Sequence, residues 1–332
     1  MVKMKNIILL LALCAATAGA VRAQEKTLRL DEINIRDPYI LADSRSGRYY
    51  MYRSTGSDDR PDPKGAVEVF TSDDLEHWSG PVRVFDVPDD NWITGRVWAP
   101  EVHCHKGKYY LFATLNSDIE WKKRDRNMPP YTMRGTQIFV AARPEGPFLP
   151  VGDKLPATPM DEMALDGTLW VENGRPYMVY CHEWVQIGDG AMKLVELKKD
   201  LSAPAGQPVT LFRASAAPWS TGSGEGDEKT YVTDGCFLYR TRTGKLLMLW
   251  SSFMNGEYAI GIAESATGRI TGPWRQQPEP LFNRNGGHGM VFTGFDGVLR
   301  LVIHAPNSPA GAERARIFEL EDAGDTLELK KR

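Results

Sequence analysis

Short apolar runs alternate with polar, turn-rich stretches along the whole chain, and the runs are of strand length. "NIRDPYILADSRSGRYYMYRST" (34–55) shows the pattern: a polar opening, a five-residue apolar run, a turn containing Gly47, then a second run rich in Tyr and Met. Runs of this length bounded by Gly, Asp, Ser and Pro read as β-strands. No segment carries the i, i+3, i+4 spacing of a long amphipathic helix, and no Gly-x-Gly-x-x-Gly precedes a helix. The unit then recurs. "WAPEVHCHKGKYYLFAT" is followed by "TQIFVAARPEGPF", "LDGTLWVENGRPYMVYCHEW" by "GAMKLVELKKDLS", "VTDGCFLYRTRTGKLLMLWSSF" by "YAIGIAESATGRITGPW", and "GHGMVFTGFDGVLRLVIHAPN" by "ARIFELED". The openings fall at Asp37, Glu101, Asp166, Asp234 and His288, spaced by 64, 65, 68 and 54 residues.

A repeat of this length with about four strands predicts a blade of a β-propeller. Five blades account for the chain, which is therefore expected to be all-β, a five-bladed β-propeller in one domain over 24–332. A two-sheet sandwich would not require the regular repeat. In a propeller the first strands of the blades run parallel around a central channel. Residues at the heads of those strands should meet at one rim. Several carboxylates around one pocket repel one another, and a cost of that kind points to acid–base or metal chemistry.

Composition changes this picture little. Apolar residues make up 42% and charged residues 25%, and the net charge is −3, which speaks against a nucleic-acid partner. The first 23 residues are expected to be a signal peptide: Lys3 and Lys5, the apolar stretch "IILLLALCAATAGA" (7–20), then small residues before Gln24. Cys14 follows Leu13, a poor match to a lipidation site. The apolar stretch is too short to span a bilayer comfortably and no other run could cross one, so a secreted or periplasmic protein is expected. Cys104, Cys181 and Cys236 remain, an odd number that argues against a disulfide framework; all three read as small buried apolar residues.

"RDPYI", "WAPEVH", "LDGTLW", "TDGCFLY" and "GGHGMVF", in this order, resemble glycoside hydrolase family 43, as do the blade ends "SDDLEHW" and "EGPF". The resemblance covers nearly all of the mature chain. It implies an inverting glycosidase acting on oligosaccharides or polysaccharide side chains, on terminal α-L-arabinofuranosides first and β-D-xylosides second. Such an enzyme places a base and an acid on opposite faces of the sugar, roughly 6.5–9.5 Å apart. The resemblance makes Asp37 the base and Asp166 the carboxylate that orients the acid and raises its pKa. At the acid position the family carries Glu-Gly-Pro and this chain carries Asp234-Gly235-Cys236, a carboxyl shorter by about 1.5 Å. Asp234 is then one reading of the acid and Glu183 in "YCHEWVQ" another; Glu225 and Glu228 are weaker. A third reading is a non-catalytic carbohydrate-binding propeller with a degenerate acid position. Arg36, Trp98, Glu101, His103, Trp170 and His288 are candidates for contact with the sugar. No cofactor is required and no metal ligand set is assigned. A structural calcium beside His288 would need waters to complete its six or more oxygens. Two loops, 116–137 and 213–231, the second with an exposed-looking Trp219, are expected to wall the channel mouth and favour exo action.

Overall fold

The structure, a computed structural model, describes residues 27–55, 64–93, 95–122, 129–226 and 229–331. The expected signal peptide and Glu228 lie outside the described residues. Five sheets form five blades. Blade I holds β1 (Leu28–Arg29), β2 (Tyr39–Asp43), β3 (Arg48–Ser54), β4 (Ala66–Ser72) and β5 (His77–Asp86). Blade II holds β6 (Arg96–His105), β7 (Lys108–Lys122), β8 (Tyr131–Ala141) and β9 (Leu149–Pro150). Blade III holds β10 (Ala164–Glu172), β11 (Arg175–His182), β12 (Ala191–Glu196) and β13 (Val209–Arg213), with the single-turn helix α1 (Trp184–Ile187) after β11. Blade IV holds β14 (Asp234–Arg240), β15 (Leu246–Met254), β16 (Glu257–Ser265) and β17 (Trp274–Gln276). Blade V holds β18 (Gly287–Thr293), β19 (Leu299–Ala305), β20 (Arg314–Asp322) and β21 (Leu327–Leu329). Each blade is an antiparallel meander from the channel outward, and β1 adds a fifth strand to the outer edge of blade I.

The middle strands read as near-continuous apolar runs because neighbouring blades cover both of their faces. Residues 109–117 of β7 are all buried. The core accordingly lies between blades: Met51, Phe70, Trp78 and Phe139 pack together where blades I and II meet, and Val179, Met192, Met248 and Trp250 do so between blades III and IV. The blade-end phrase "SDDLEHW" is a local device of the same packing. Asp74 accepts the backbone N–H groups of Glu76 and His77 at 2.8 Å each, a turn that delivers Trp78 to full burial.

The ring closes through the segment before β2. Asn34 bridges to Arg314 of blade V, its amide donates to the carbonyls of Gly311 (2.7 Å) and Glu313 (3.2 Å), and the Ile35 N–H donates to Glu313 O. Two local expectations need correcting. Trp219 is 2% exposed and packs on Trp250 at 4.8 Å. Cys181 and Cys236 are buried, but Cys104, near the end of β6, is exposed. Among the described residues no helix is long and apolar enough to cross a membrane.

Candidate active site

The head of every inner strand carries the same backbone device. In blades II to V the pairing of the first two strands slips by one residue, between Trp98 and Glu101, Leu165 and Thr168, Asp234 and Phe237, and Gly287 and Met290. Each slip is a β-bulge. The second residue of each bulge takes a left-handed conformation: Ala99 (φ 41°), Asp166 (57°), Gly235 (47°) and His288 (48°), with Asp37 (51°) in the corresponding place before β2. Five repeats of one strained turn at one rim bring their side chains together. The bulge also corrects the register read from sequence. The blade equivalents of Asp37, Asp166 and His288 are Ala99 and Gly235, so Glu101 stands two residues further along its strand and Asp234 one residue earlier. Asp234 shares its place in the bulge with Trp98. Gly235 is required where it is. A Cβ there would lie 2.6 Å from Cγ of His288, at a φ that side chains rarely adopt.

Asp37, Asp166, Asp234 and His288 converge as expected. His288 Nδ1 lies 3.2 Å from Asp37 Oδ1 and 3.9 Å from Asp166 Oδ2. On the far side of Asp37 stands His304 of β19, fully buried, with Nδ1 3.1 Å from the same Oδ1. Its Nδ1 accepts the Asp37 backbone N–H (3.3 Å) while Nε2 meets Asn307 Oδ1 (3.1 Å). Both imidazoles stand close to Asp37 Oδ1 but off line for a well-formed hydrogen bond, and that oxygen is buried without a hydrogen-bond partner among the described residues. Arg36 completes this side: Nε is 3.9 Å from Asp37 Oδ1, and the guanidinium donates to Asn307 Oδ1 (2.8 Å) and Glu313 Oε1 (3.2 Å). Burial works to raise the Asp37 pKa, but His288, His304 and Arg36 outweigh it and hold the carboxyl well below the usual carboxylate range.

The other two aspartates move the opposite way. Asp166 is pushed up to about 8, by burial first, against the attraction of His288, and then by the charges of Asp234 and Asp37. Its Oδ2 accepts the Gly235 N–H at 3.0 Å. Asp234 is also raised, by burial and by Asp37; its Oδ2 accepts a 3.0 Å hydrogen bond from the Tyr258 hydroxyl.

Glu183 approaches the cluster from blade III, within reach of the Asp234 charge. It directly follows β11, its backbone N–H donates to Met163 O (2.9 Å), and it directly precedes α1. Its carboxylate takes a 2.5 Å contact from Arg134 Nη1 of β8, and both groups are buried. Arg134 also donates to Thr132 Oγ1 (2.9 Å) and lies over the Trp98 ring, 4.8 Å from its centroid. Glu183 is pushed up to about 7 by burial first and by the Asp234 charge, against the pull of Arg134.

The remaining candidates take different places. Trp98 stands half-buried at the rim with one face under Arg134. Glu101 lines the same narrow channel cavity as Asp37, Tyr39 and His288. Its partner is His103, at 2.9 Å, and not an arginine; His103 in turn meets the Tyr39 hydroxyl at 3.3 Å. Both thus belong to a hydrogen-bonded channel wall. Trp170 is not brought to the rim. It lies four residues beyond Asp166 along β10, opposite Tyr177, with Arg240 over its ring at 5.5 Å, because a strand running away from the bulge carries it down between blades III and IV. Among the described residues no group of three or more His, Cys, Asp or Glu is arranged to hold a metal ion, so no step is assigned to one. Sequence reasoning missed His304, Tyr258 and Arg134. All three sit on second or third strands, and the repeat directs attention to first strands. The one available signal was His304 in "LVIHA", a polar residue inside an apolar run that must find a partner when buried.

The sequence profile of glycosyl hydrolases family 43 matches residues 32–320. An extracellular exo-α-(1→5)-L-arabinofuranosidase from Cellvibrio japonicus (strain Ueda107) is 21% identical over 302 residues, covering 82% of this chain and 79% of that protein. The crystal structure of an endo-arabinase from Bacteroides thetaiotaomicron VPI-5482 superposes with a TM-score of 0.77 at 37% identity, over 89% of this chain and 97% of that one. That of an α-L-arabinofuranosidase from Lactobacillus brevis does so with a TM-score of 0.69 at 18% identity, over 92% and 100%, a likeness of fold.

Proposed function

The chain belongs to glycosyl hydrolases family 43, and from that premise we propose an inverting glycosidase that releases terminal α-L-arabinofuranosyl groups from plant-type polysaccharide side chains, with β-D-xylosyl groups as the second substrate. The observation that carries this reading is the opposed displacement of two carboxyls that share Asp234 as an electrostatic neighbour. Asp37 is held low and Glu183 is lifted to about 7. Pairs of titratable groups whose surroundings drive their pKa values apart are the signature of acid–base assignment. Asp37, held ionised at the rim, deprotonates the attacking water. Glu183, protonated near neutral pH, gives its proton to the leaving oxygen. The Asp234 charge favours the proton on Glu183, and the bulges that carry Asp166 and Asp234 fix their positions.

Asp234 is the second reading of the donor, favoured by its place at the head of β14 and its own raised pKa. A pure sugar-binding propeller has no use for a carboxylate held ionised by two imidazoles and an arginine at the rim. No cofactor is needed for this chemistry. Export is supported by the leader-like first 23 residues and by the extracellular relative. Internal cleavage of the polymer is the alternative mode, favoured by the name of the 37% identical endo-arabinase.

The test is turnover of p-nitrophenyl α-L-arabinofuranoside and β-D-xyloside, with product analysis on linear arabinan. The arabinoside is expected to be cleaved faster, arabinose to be the sole early product, and Asp37→Asn to lose about 10²–10⁴-fold in kcat/KM. Oligosaccharide products would establish internal cleavage, and no turnover of either glycoside would overturn the reading.

A further inference from the structure

Blade II does not end at the rim. β6 pairs with β7 only as far as Arg96 opposite Asn116, at the bulged end of the strand. β7 and β8 continue past it together, to Glu120 opposite Thr132 and Lys122 opposite Tyr131. Within the stretch expected to be a charged loop, the described residues are therefore a paired extension of β7 and β8 beyond the rim, and residues 118–122 are exposed on both faces. It carries apolar surface that no core explains: Ile119 is 62% exposed and Trp121 44%. The Trp121 ring meets Tyr131 at 6.0 Å and 47°.

This pair is tied to the machinery at its base. The Tyr131 hydroxyl donates to Gln186 O (3.2 Å), in the helix that begins directly after Glu183. From Tyr131 the same strand runs through Thr132 to Arg134, which binds Thr132 and Glu183 together. The arm thus rises on the side of the group that protonates the leaving oxygen. Tyr131 lies about 10 Å of strand from Arg134, beyond the first sugar after the scissile bond. A sugar ring has an apolar C–H face that stacks on an exposed indole, and the exposed Ile119, two residues earlier in β7, adds apolar surface to the arm.

We propose that Trp121, backed by Tyr131, is the platform of a distal subsite on the leaving-group side, which holds a later sugar unit of the same glycan and makes the enzyme selective for chains over disaccharides. The inference rests on the proposed reaction and on Glu183 as its proton donor.

The experiment is calorimetric titration of the Asp37→Asn protein with linear arabino-oligosaccharides of two and four units. The four-unit chain is expected to bind roughly tenfold tighter, and that ratio is expected to collapse towards one in Asp37→Asn/Trp121→Ala and to return in Asp37→Asn/Trp121→Tyr. An unchanged melting temperature in each variant establishes that the fold is intact. A ratio that survives Trp121→Ala, or no gain from two to four units, overturns the inference. The reaction itself fails by a different sign, the absence of aryl-glycoside turnover by the wild-type enzyme.

Discussion

Asp37 and Asp166 are the same residue type at the same place in their blades, and their surroundings drive them apart. Asp37 faces two imidazoles and Arg36, whereas for Asp166 burial, with the charges of Asp234 and Asp37, outweighs His288 at 3.9 Å and one backbone N–H. The displacement has a thermodynamic sign. Asp166 has a folded-state pKa near 8, above the unfolded value of about 3.9. The folded state therefore binds more protons in that window, and stability is lost as pH rises through it. Asp37, held low, contributes stability that is present above its unfolded pKa and lost as pH falls through the folded one. Asp166→Asn keeps an acceptor for the Gly235 N–H and removes the charge. It is expected to be more stable than wild type at pH 8 by at least about 1 kcal/mol and nearly equal at pH 4, as read from denaturant melts at both pH values. An equal change at both would contradict the charge argument. At this scale the sequence made Asp37 and Asp166 legible because they repeat, and Glu183 because it follows directly on a strand of the third unit. Arg134 was illegible: nothing in "TMRGTQ" marks a guanidinium that will be buried against a glutamate from another blade.

The element that organises the site is the left-handed turn at the head of each inner strand, set within a bulge in blades II to V. Apolar periodicity finds a strand and its faces, but it cannot count an extra residue inserted where the pattern is interrupted. That is why the blades, their order and their inner strands were readable while the openings of blades II and IV were displaced, by two residues at Glu101 and one at Asp234. The outer part of β7 reads as loop for another reason: Asp118 to Lys122 do alternate polar and apolar, but the run is short, charged and followed by Pro129 and Pro130, so it does not stand out as a strand. Gly235→Ala tests the bulge itself. The added Cβ would meet the His288 ring at 2.6 Å in a left-handed conformation, so either the ring or the turn must move. The variant is expected to lose about 1–3 kcal/mol of stability and at least tenfold in kcat/KM, checked by melts and turnover together; an active, fully stable Gly235→Ala would show that the strained turn does not hold His288.

At the scale of the molecule, five blades carry one repeat, and a ring turns five distant strand heads into one rim. The ring was visible in sequence because a single unit recurs through the whole chain, whereas its closure was not, since the bonds from Asn34 and Ile35 to blade V join residues some 280 positions apart. Around that rim the charges are arranged with polarity. Histidines of blade V and Arg36 hold one carboxyl ionised, and burial with Asp234 holds another protonated on blade III. The activity should accordingly fall as pH rises through about 7, where Glu183 loses its proton. The most direct measurement compares Glu183→Gln and Asp234→Asn on two arabinofuranosides, one with a dinitrophenyl group that leaves unaided and one with a phenyl group that needs a proton. Glu183→Gln is predicted to lose at least about 10²-fold in kcat/KM on the phenyl substrate, to lose little on the dinitrophenyl one, and to flatten the decline above neutral pH. The same signature in Asp234→Asn, with Glu183→Gln affecting both substrates equally, would contradict the account and place the proton donor on blade IV.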